Sequence, residues 1–249
     1  MRGQPAVDIC PGPDAALARA QLAIAGGLLV AGGACTVAAL SLPPLWSIVT
    51  AGVTEEVRLI GQHRGVWQLG IWLWAASAGL TMPGMLTLAS ALNGSATGAM
   101  RGRLAPASAI SAAAAGLFVA GSVLWLSNLA FGGSVAVSVA DMVRGGGVIP
   151  DWFQPVQQWA SAFWQAGAPL LGLSLILYGL VIRGGTILPS WAGWLAIAAG
   201  GLILAIFVPL GGAPPFLIYL LGTLPLGVAA ILRSRPSAPS WRGCAVRRR

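Results

Sequence analysis

Six long apolar runs dominate the chain, and turn-forming residues punctuate them. The runs are Gln21–Leu42 before Pro43-Pro44, Val66–Leu92 before Asn93-Gly94, Pro106–Phe131 before Gly132-Gly133, about Gln157 to Ile182, Pro189–Leu210 before Gly211-Gly212, and Pro215–Leu232. A helix needs about 20 apolar residues to cross a bilayer core, and Pro and Gly mark helix ends. The pattern predicts an all-α, polytopic transmembrane bundle of six spanning helices arranged as three hairpins. It occupies residues 21–232, between an N-terminal tail (1–20) and a basic C-terminal tail (233–249). The first run is longer than the apolar region of a cleaved secretory signal, so it is expected to stay as the first helix.

Composition agrees with this class. Hydrophobic residues make up 57% of the 249 and charged residues 8%, against about 25% charged in soluble domains. The net charge is +8, which in a soluble chain raises the question of nucleic acid. Here the arginines sit in loops and tails between apolar runs, with no basic stripe interleaved with aromatics, so nucleic acid is excluded as a partner. Placing both termini in the cytoplasm puts Arg2, Arg19, Arg101, Arg103, Arg183, Arg233, Arg235, Arg242, Arg247, Arg248 and Arg249 inside. Only Arg58, Arg64 and Arg144 are then outside. This asymmetry follows the positive-inside rule and predicts a multi-pass protein of the cell inner (plasma) membrane. The arginine-rich terminus is expected to lie against anionic headgroups. The absence of Lys with abundant Ala, Gly and Arg suggests a high-GC genome. Cys10, Cys35 and Cys244 have no metal-ligand or C-x-x-C spacing, so neither a structural disulfide nor a metal site is expected.

Two connections, about residues 43–65 and 132–156, exceed the usual loop length and contain short amphipathic pieces. They are expected to form ordered segments at the outer membrane surface. The hairpins around them resemble each other. Gly27–Gly32 (GLLVAG) matches Gly116–Gly121 (GLFVAG), Val53–Arg58 parallels Val139–Arg144, and Trp67 and Trp72 pair with Trp159 and Trp164 at the same spacing. These matches suggest a parallel internal repeat that places Glu55 and Asp141 in equivalent positions.

No span carries a charge near its middle, which argues against a proton-coupled pump with a midplane carboxylate. The outward acids Glu55, Glu56, Asp141 and Asp151, with the single histidine His63, are the candidates for acid–base chemistry; solvated loop charges that pair locally are the plainer account. Trp67, Trp72, Trp74, Trp125 and Trp164 fall in the outer half, where an interfacial belt is ordinary. Trp72, Trp74 and Trp164 lie one to two turns deeper and can line an apolar pocket. Gln68, Asn128, Gln158, Ser161 and Gln165 share that depth, the last three on one helix face. They serve either interhelical hydrogen bonds or the polar lining of a ligand site. Thr81–Met85 contains Pro83 and predicts a kink in the second span. Phosphate-loop, H-E-x-x-H, G-x-S-x-G and D-D-x-x-D motifs are absent, and no cofactor is expected.

The stretch Leu171–Arg183, followed by Ile187–Leu195 (ILPSWAGWL), is similar to a hairpin of small uncharacterised bacterial multi-pass membrane proteins. The resemblance covers helices four and five. It implies a tight cytoplasmic turn with Trp191 and Trp194 at the interface, and no catalytic residue. Glu55-Glu56 loosely resembles the acidic motif of small membrane-embedded carotenoid cyclases, but the preceding proline is missing and the role is not carried over.

Together these features predict a membrane protein that binds or passes a hydrophobic or amphipathic small molecule at an outward-facing Trp-rich pocket between helices two, three and four, capped by the two long outer connections. The rivals are a membrane-embedded cyclase or isomerase acting on an isoprenoid or lipid through the outer carboxylates, and an accessory subunit of a larger complex. The lipid bilayer is the expected partner, with homo- or hetero-oligomers compatible with all three.

Overall fold

The computed structural model describes residues 13–94, 105–210 and 217–235. These are helical, with no strand among the described residues. Five helical segments are long and apolar enough to cross a membrane, and Ile218–Ser234 is a shorter apolar helix. The expected turn at Gly211–Pro214, the start of the sixth run at Pro215, the two flanking cysteines and the arginine-rich terminus lie outside the described residues.

Helix α1 (Pro13–Leu40) is followed by a short α2 (Leu45–Val49) and by α3 (Val53–Gln62), which leads into α4 (Arg64–Gly94). The chain then forms α5 (Ala105–Phe131), a π-helical turn (Gly132–Ala136) and α6 (Val137–Arg144), before α7 (Phe153–Gly184), α8 (Ser190–Leu210) and a second π-helical turn (Ile218–Thr223) that continues into α9 (Leu224–Ser234). The first hairpin packs α1 on α4 and the second packs α5 on α7. The last hairpin sits between α7 and α1, with α8 on α7 and α9 on α1.

The long helices follow a seven-residue rhythm. On α4, Trp67, Ile71, Trp74, Ala78, Thr81, Met85, Leu88 and Leu92 alternate steps of four and three, and all are buried. This is the periodicity of left-handed helix packing. Beside that seam runs a buried stripe of small residues, Gly70, Ser77, Gly84 and Ala91, at steps of seven. The stripe meets α1 closely. A Cβ on Gly32 would lie 3.0 Å from the Ser77 carbonyl oxygen, and one on Gly84 would lie 3.0 Å from Leu29. Thr36 and Ser77 share a 2.8 Å hydroxyl hydrogen bond in the same contact. The opposite α4 stripe, Gly65, Trp72, Gly79 and Leu86, is exposed. Pro83 also lies on an exposed position within a continuous α4.

The second hairpin repeats this construction. Gly121 stands 89 residues after Gly32, and its Cβ would lie 2.9 Å from the Gly167 carbonyl oxygen. Gly167 stands 90 residues after Ser77, so equivalent glycines approach equivalent carbonyls. Ala160, Gly167 and Ser174 occupy the small stripe of α7 as Gly70, Ser77 and Gly84 do on α4. Ser174 donates a 2.7 Å hydrogen bond to the Ala114 carbonyl of α5. This register revises the tryptophan alignment. Trp67 is 5% exposed whereas Trp159 is 65% exposed, so the two are not equivalent. Trp74 and Trp164, 90 residues apart, occupy the matching positions.

The Gly132-Gly133 pair does not stop the third run. Helical backbone continues through the π turn into α6. The glycines are needed for closeness: a Cβ on either would meet Ile71 at 3.2–3.3 Å. The fourth helix also begins earlier than expected, at Phe153, whose ring is fully buried and stacks on Phe131 with centroids 6.0 Å apart.

Candidate functional site

The candidate site is assembled at the end of the bundle where α3 and α6 lie. Helix α3 is amphipathic. Val57, Ile60 and Gly61 are buried while Glu55 and Arg58 are exposed. Its two acids fall in the first turn, where the helix dipole favours negative charge. Gly61 lets α3 lie against α6, since a Cβ there would be 3.2 Å from the Ala140 carbonyl oxygen. The surface helices of the two hairpins therefore pack on each other, and each carries an acid–arginine pair at i, i+3: Glu55 with Arg58, and Asp141 with Arg144 at 3.6 Å. Asp141 also binds Arg64 at 2.9 Å, tying α6 to the start of α4.

Beneath α2 and α3 lies a cavity of about 460 Å³, walled by α4, α5, the first π turn and α7. That size falls within the range of small-molecule sites, roughly 300–1,000 Å³. Repeat-equivalent positions of both hairpins line it: Leu40 with Leu129, Trp67 with Gln157, Ile71 with Ser161, and Trp74 with Trp164. In the second and third pairs α4 presents an indole and an alkyl chain where α7 presents an amide and a hydroxyl, and the last pair is Trp on both sides. The cavity thus has an apolar wall and a partly polar one.

Trp125 of α5 joins the two equivalent tryptophans. Its ring centroid is 6.2 Å from that of Trp74 and 4.9 Å from that of Trp164, the latter edge-to-face. Such geometries suit aromatic quadrupoles. Trp67 is anchored by a 2.9 Å hydrogen bond from Nε1 to the Gly132 carbonyl oxygen, so the π turn holds one wall. Asn128 donates to the Ala160 carbonyl at 3.1 Å and fixes α5 on α7. Trp125 Nε1 and Gln157 Oε1 are buried with no hydrogen-bond partner among the described residues.

Glu56 is the acid that lines the cavity. Its Oε2 accepts a 2.7 Å hydrogen bond from Gln157 Nε2. Burial pushes its carboxyl up to about 7, against the opposing effect of the Gln157 hydrogen bond. Neighbouring Glu55 behaves oppositely: it is exposed, and the hydrogen bond from Arg58 holds its carboxyl below the ordinary value.

The sequence candidates therefore separate into groups. Trp67, Trp74, Trp125, Asn128, Ser161 and Trp164 line the cavity with Glu56. Gln158 and Gln165 line a shallow recess next to it, which shares Glu56, Gln157 and Ser161. Gln68 lines neither, and Trp72 is 72% exposed, because it belongs to the outward stripe of α4. Glu55, His63, Asp141 and Asp151 stand outside the cavity; His63 closes the C-terminus of α3. The α2 residues Leu45, Trp46, Val49 and Thr50, which belong to the first long connection, also line the cavity, though none of them was a sequence candidate for the lining. Gln157 was recognisable as a polar residue of α7; its partnership with Glu56, 101 positions away, was not. Among the described residues no group of three metal-ligating side chains gathers. No family model matches the chain, and no curated protein or solved structure is similar to it.

Proposed function

We propose that this chain is a six-span membrane protein, with both termini cytoplasmic, that binds or passes a hydrophobic or amphipathic molecule at the Trp-walled cavity. The cavity then opens toward the outer side of the cell membrane. Arginine distribution supports the orientation: Arg183 and Arg233 belong to the end opposite α3 and α6, where Arg233 donates to the Ile187 carbonyl at 3.0 Å and Arg183 lies 3.8 Å over the Trp194 ring. The observation that carries the binding proposal is the shared lining by equivalent positions, made more polar on α7 by Gln157 and Ser161. An amphipathic molecule fits both walls, and a polar group on it would satisfy the unpartnered Trp125 Nε1 or Gln157 Oε1. Acid–base catalysis needs cooperating groups within reach of a substrate. With Glu55 and Asp141 engaged by arginines outside the cavity, Glu56 has no second carboxylate beside it among the described residues, which favours binding over the cyclase or isomerase alternative.

The test is extraction of small molecules from the purified full chain, followed by mass spectrometry. A non-phospholipid amphiphile recovered with wild type but depleted from Trp125→Leu supports the proposal. Recovery of bulk phospholipid alone, together with no saturable uptake of the neutral dye N-phenyl-1-naphthylamine, sinks it.

A further inference from the structure

We infer that the cavity selects lipophilic organic cations, with Glu56 as the counter-ion, an inference that rests on the cavity being a ligand site. Three observations of different kinds point there. The first is charge. Glu56 is the ionisable side chain in the lining, and its hydrogen-bond partner is the neutral Gln157 amide. Glu55 and Asp141 hold the arginines of this end of the bundle. The ionisable groups on the elements packed around α3 are His63, Arg64, Asp141 and Arg144, with Glu55 and Arg58 on α3 itself, and none of them lines the cavity.

The second observation is the wall. Trp67, Trp74, Trp125 and Trp164 present indoles to one space. Aromatic faces attract cations, most strongly for Trp and most where water is excluded. An anion would find the unpartnered Trp125 Nε1 as a donor but would stand beside a carboxylate. A neutral hydrophobe would fill the space but offer Glu56 no counter-charge, leaving protonation as the way to neutralise it.

The third is hydrogen-bonding capacity. The polar corner offers acceptors side by side: the Glu56 carboxylate and the unpartnered Gln157 Oε1. A positively charged ligand, with or without N–H donors, suits a corner of acceptors. Because burial holds the Glu56 carboxyl up to about 7, protons compete with the cation near neutrality. Cation affinity therefore rises with pH through that range, as linkage requires.

The test is equilibrium dialysis of radiolabelled tetraphenylphosphonium against the purified full chain in lipid nanodiscs. This probe is permanently charged, so any pH dependence belongs to the protein. Its near-isostere tetraphenylborate serves as the anion, and N-phenyl-1-naphthylamine as the neutral probe. Saturable phosphonium binding at about pH 8.5 is expected, at least about tenfold weaker at about pH 5.5, with the borate not binding saturably. Glu56→Gln should remove the pH dependence and the preference for the cation, while Glu56→Asp should keep both. Equal binding of the phosphonium and the borate, or a cation preference unchanged in Glu56→Gln, overturns the inference. If the neutral probe still binds in that case, the ligand cavity stands and the cation selectivity alone is wrong. If no probe binds saturably, both fall. The wild-type comparison of cation with anion needs no variant to fold.

Discussion

Gln157 Nε2 donates a 2.7 Å hydrogen bond to Glu56 Oε2 across 101 positions of sequence, joining the surface helix of the first hairpin to the cavity wall of the second. The bond is also where the polar corner of the cavity is made, since Gln157 Oε1 is left without a partner beside the carboxylate.

Protonation of Glu56 should be visible in stability. Its carboxyl is pushed up to about 7 from an ordinary 4.5, so the folded chain keeps a proton that the unfolded chain has lost between those values. The Glu56 contribution is full below about pH 4.5 and is lost as pH rises through about 7. Discounted for its partial exposure, the effect is on the order of 1–2 kcal/mol. Thermal unfolding in detergent should give a lower Tm at about pH 8 than at about pH 5, and Glu56→Gln should flatten that difference. A Tm equally pH-dependent in the variant would place the titrating group elsewhere.

Adjacent glycines of α8 should respond in opposite ways. A Cβ on Gly200 would collide with the Gly172 carbonyl oxygen, whereas one on Gly201 meets nothing within 4 Å. Gly179 and Gly193 repeat the close contact nearer the turn between α7 and α8. Gly200→Ala is expected to force the helices apart, at a cost of about 1–3 kcal/mol. Gly201→Ala should be neutral or stabilising by up to about 1 kcal/mol, because alanine is the better helix former. Paired thermal melts of the two variants decide the matter, and equal Tm values would contradict the packing.

The tryptophans should divide by wall and surface. Trp164 lines the cavity and Trp72 is 72% exposed. Trp164→Leu is expected to weaken N-phenyl-1-naphthylamine binding about tenfold, roughly 1.4 kcal/mol, and Trp72→Leu to leave it unchanged. A titration in which the two variants behave alike would detach the dye site from this cavity.

Asp141 is a test of the catalytic alternative. Its arginine pairs are substantially exposed, and such pairs contribute about 0–1 kcal/mol. Asp141→Asn should lower Tm slightly and leave dye affinity within about twofold of wild type. A large loss of binding with an unchanged Tm would bring Asp141 into the site.

Much of the bundle was legible from the chain because bilayer-length apolar runs and seven-residue spacing are local properties. The matches of Gly27–Gly32 with Gly116–Gly121, and of Glu55 with Asp141, were also visible. The correct register of α4 against α7 was not. Tryptophans recur densely enough to align at more than one offset, and only burial separates the lining Trp74 and Trp164 from the exposed Trp72 and Trp159.

By itself, then, the sequence determined a helical chain with several apolar helices fit for a membrane, and it marked one end as rich in Trp, Gln and acids. Hydrophobicity and breaker residues carry that information one segment at a time. Tertiary structure decided which side chains meet. It carried helical backbone through Gly132-Gly133, where the missing side chains let Ile71 pack close, and it laid α2 over the cavity. It set Glu55 in an exposed arginine pair and Glu56 in the cavity wall. Consecutive residues of a helix point about 100° apart, so two adjacent glutamates that look alike in sequence received different chemistries once α3 was packed.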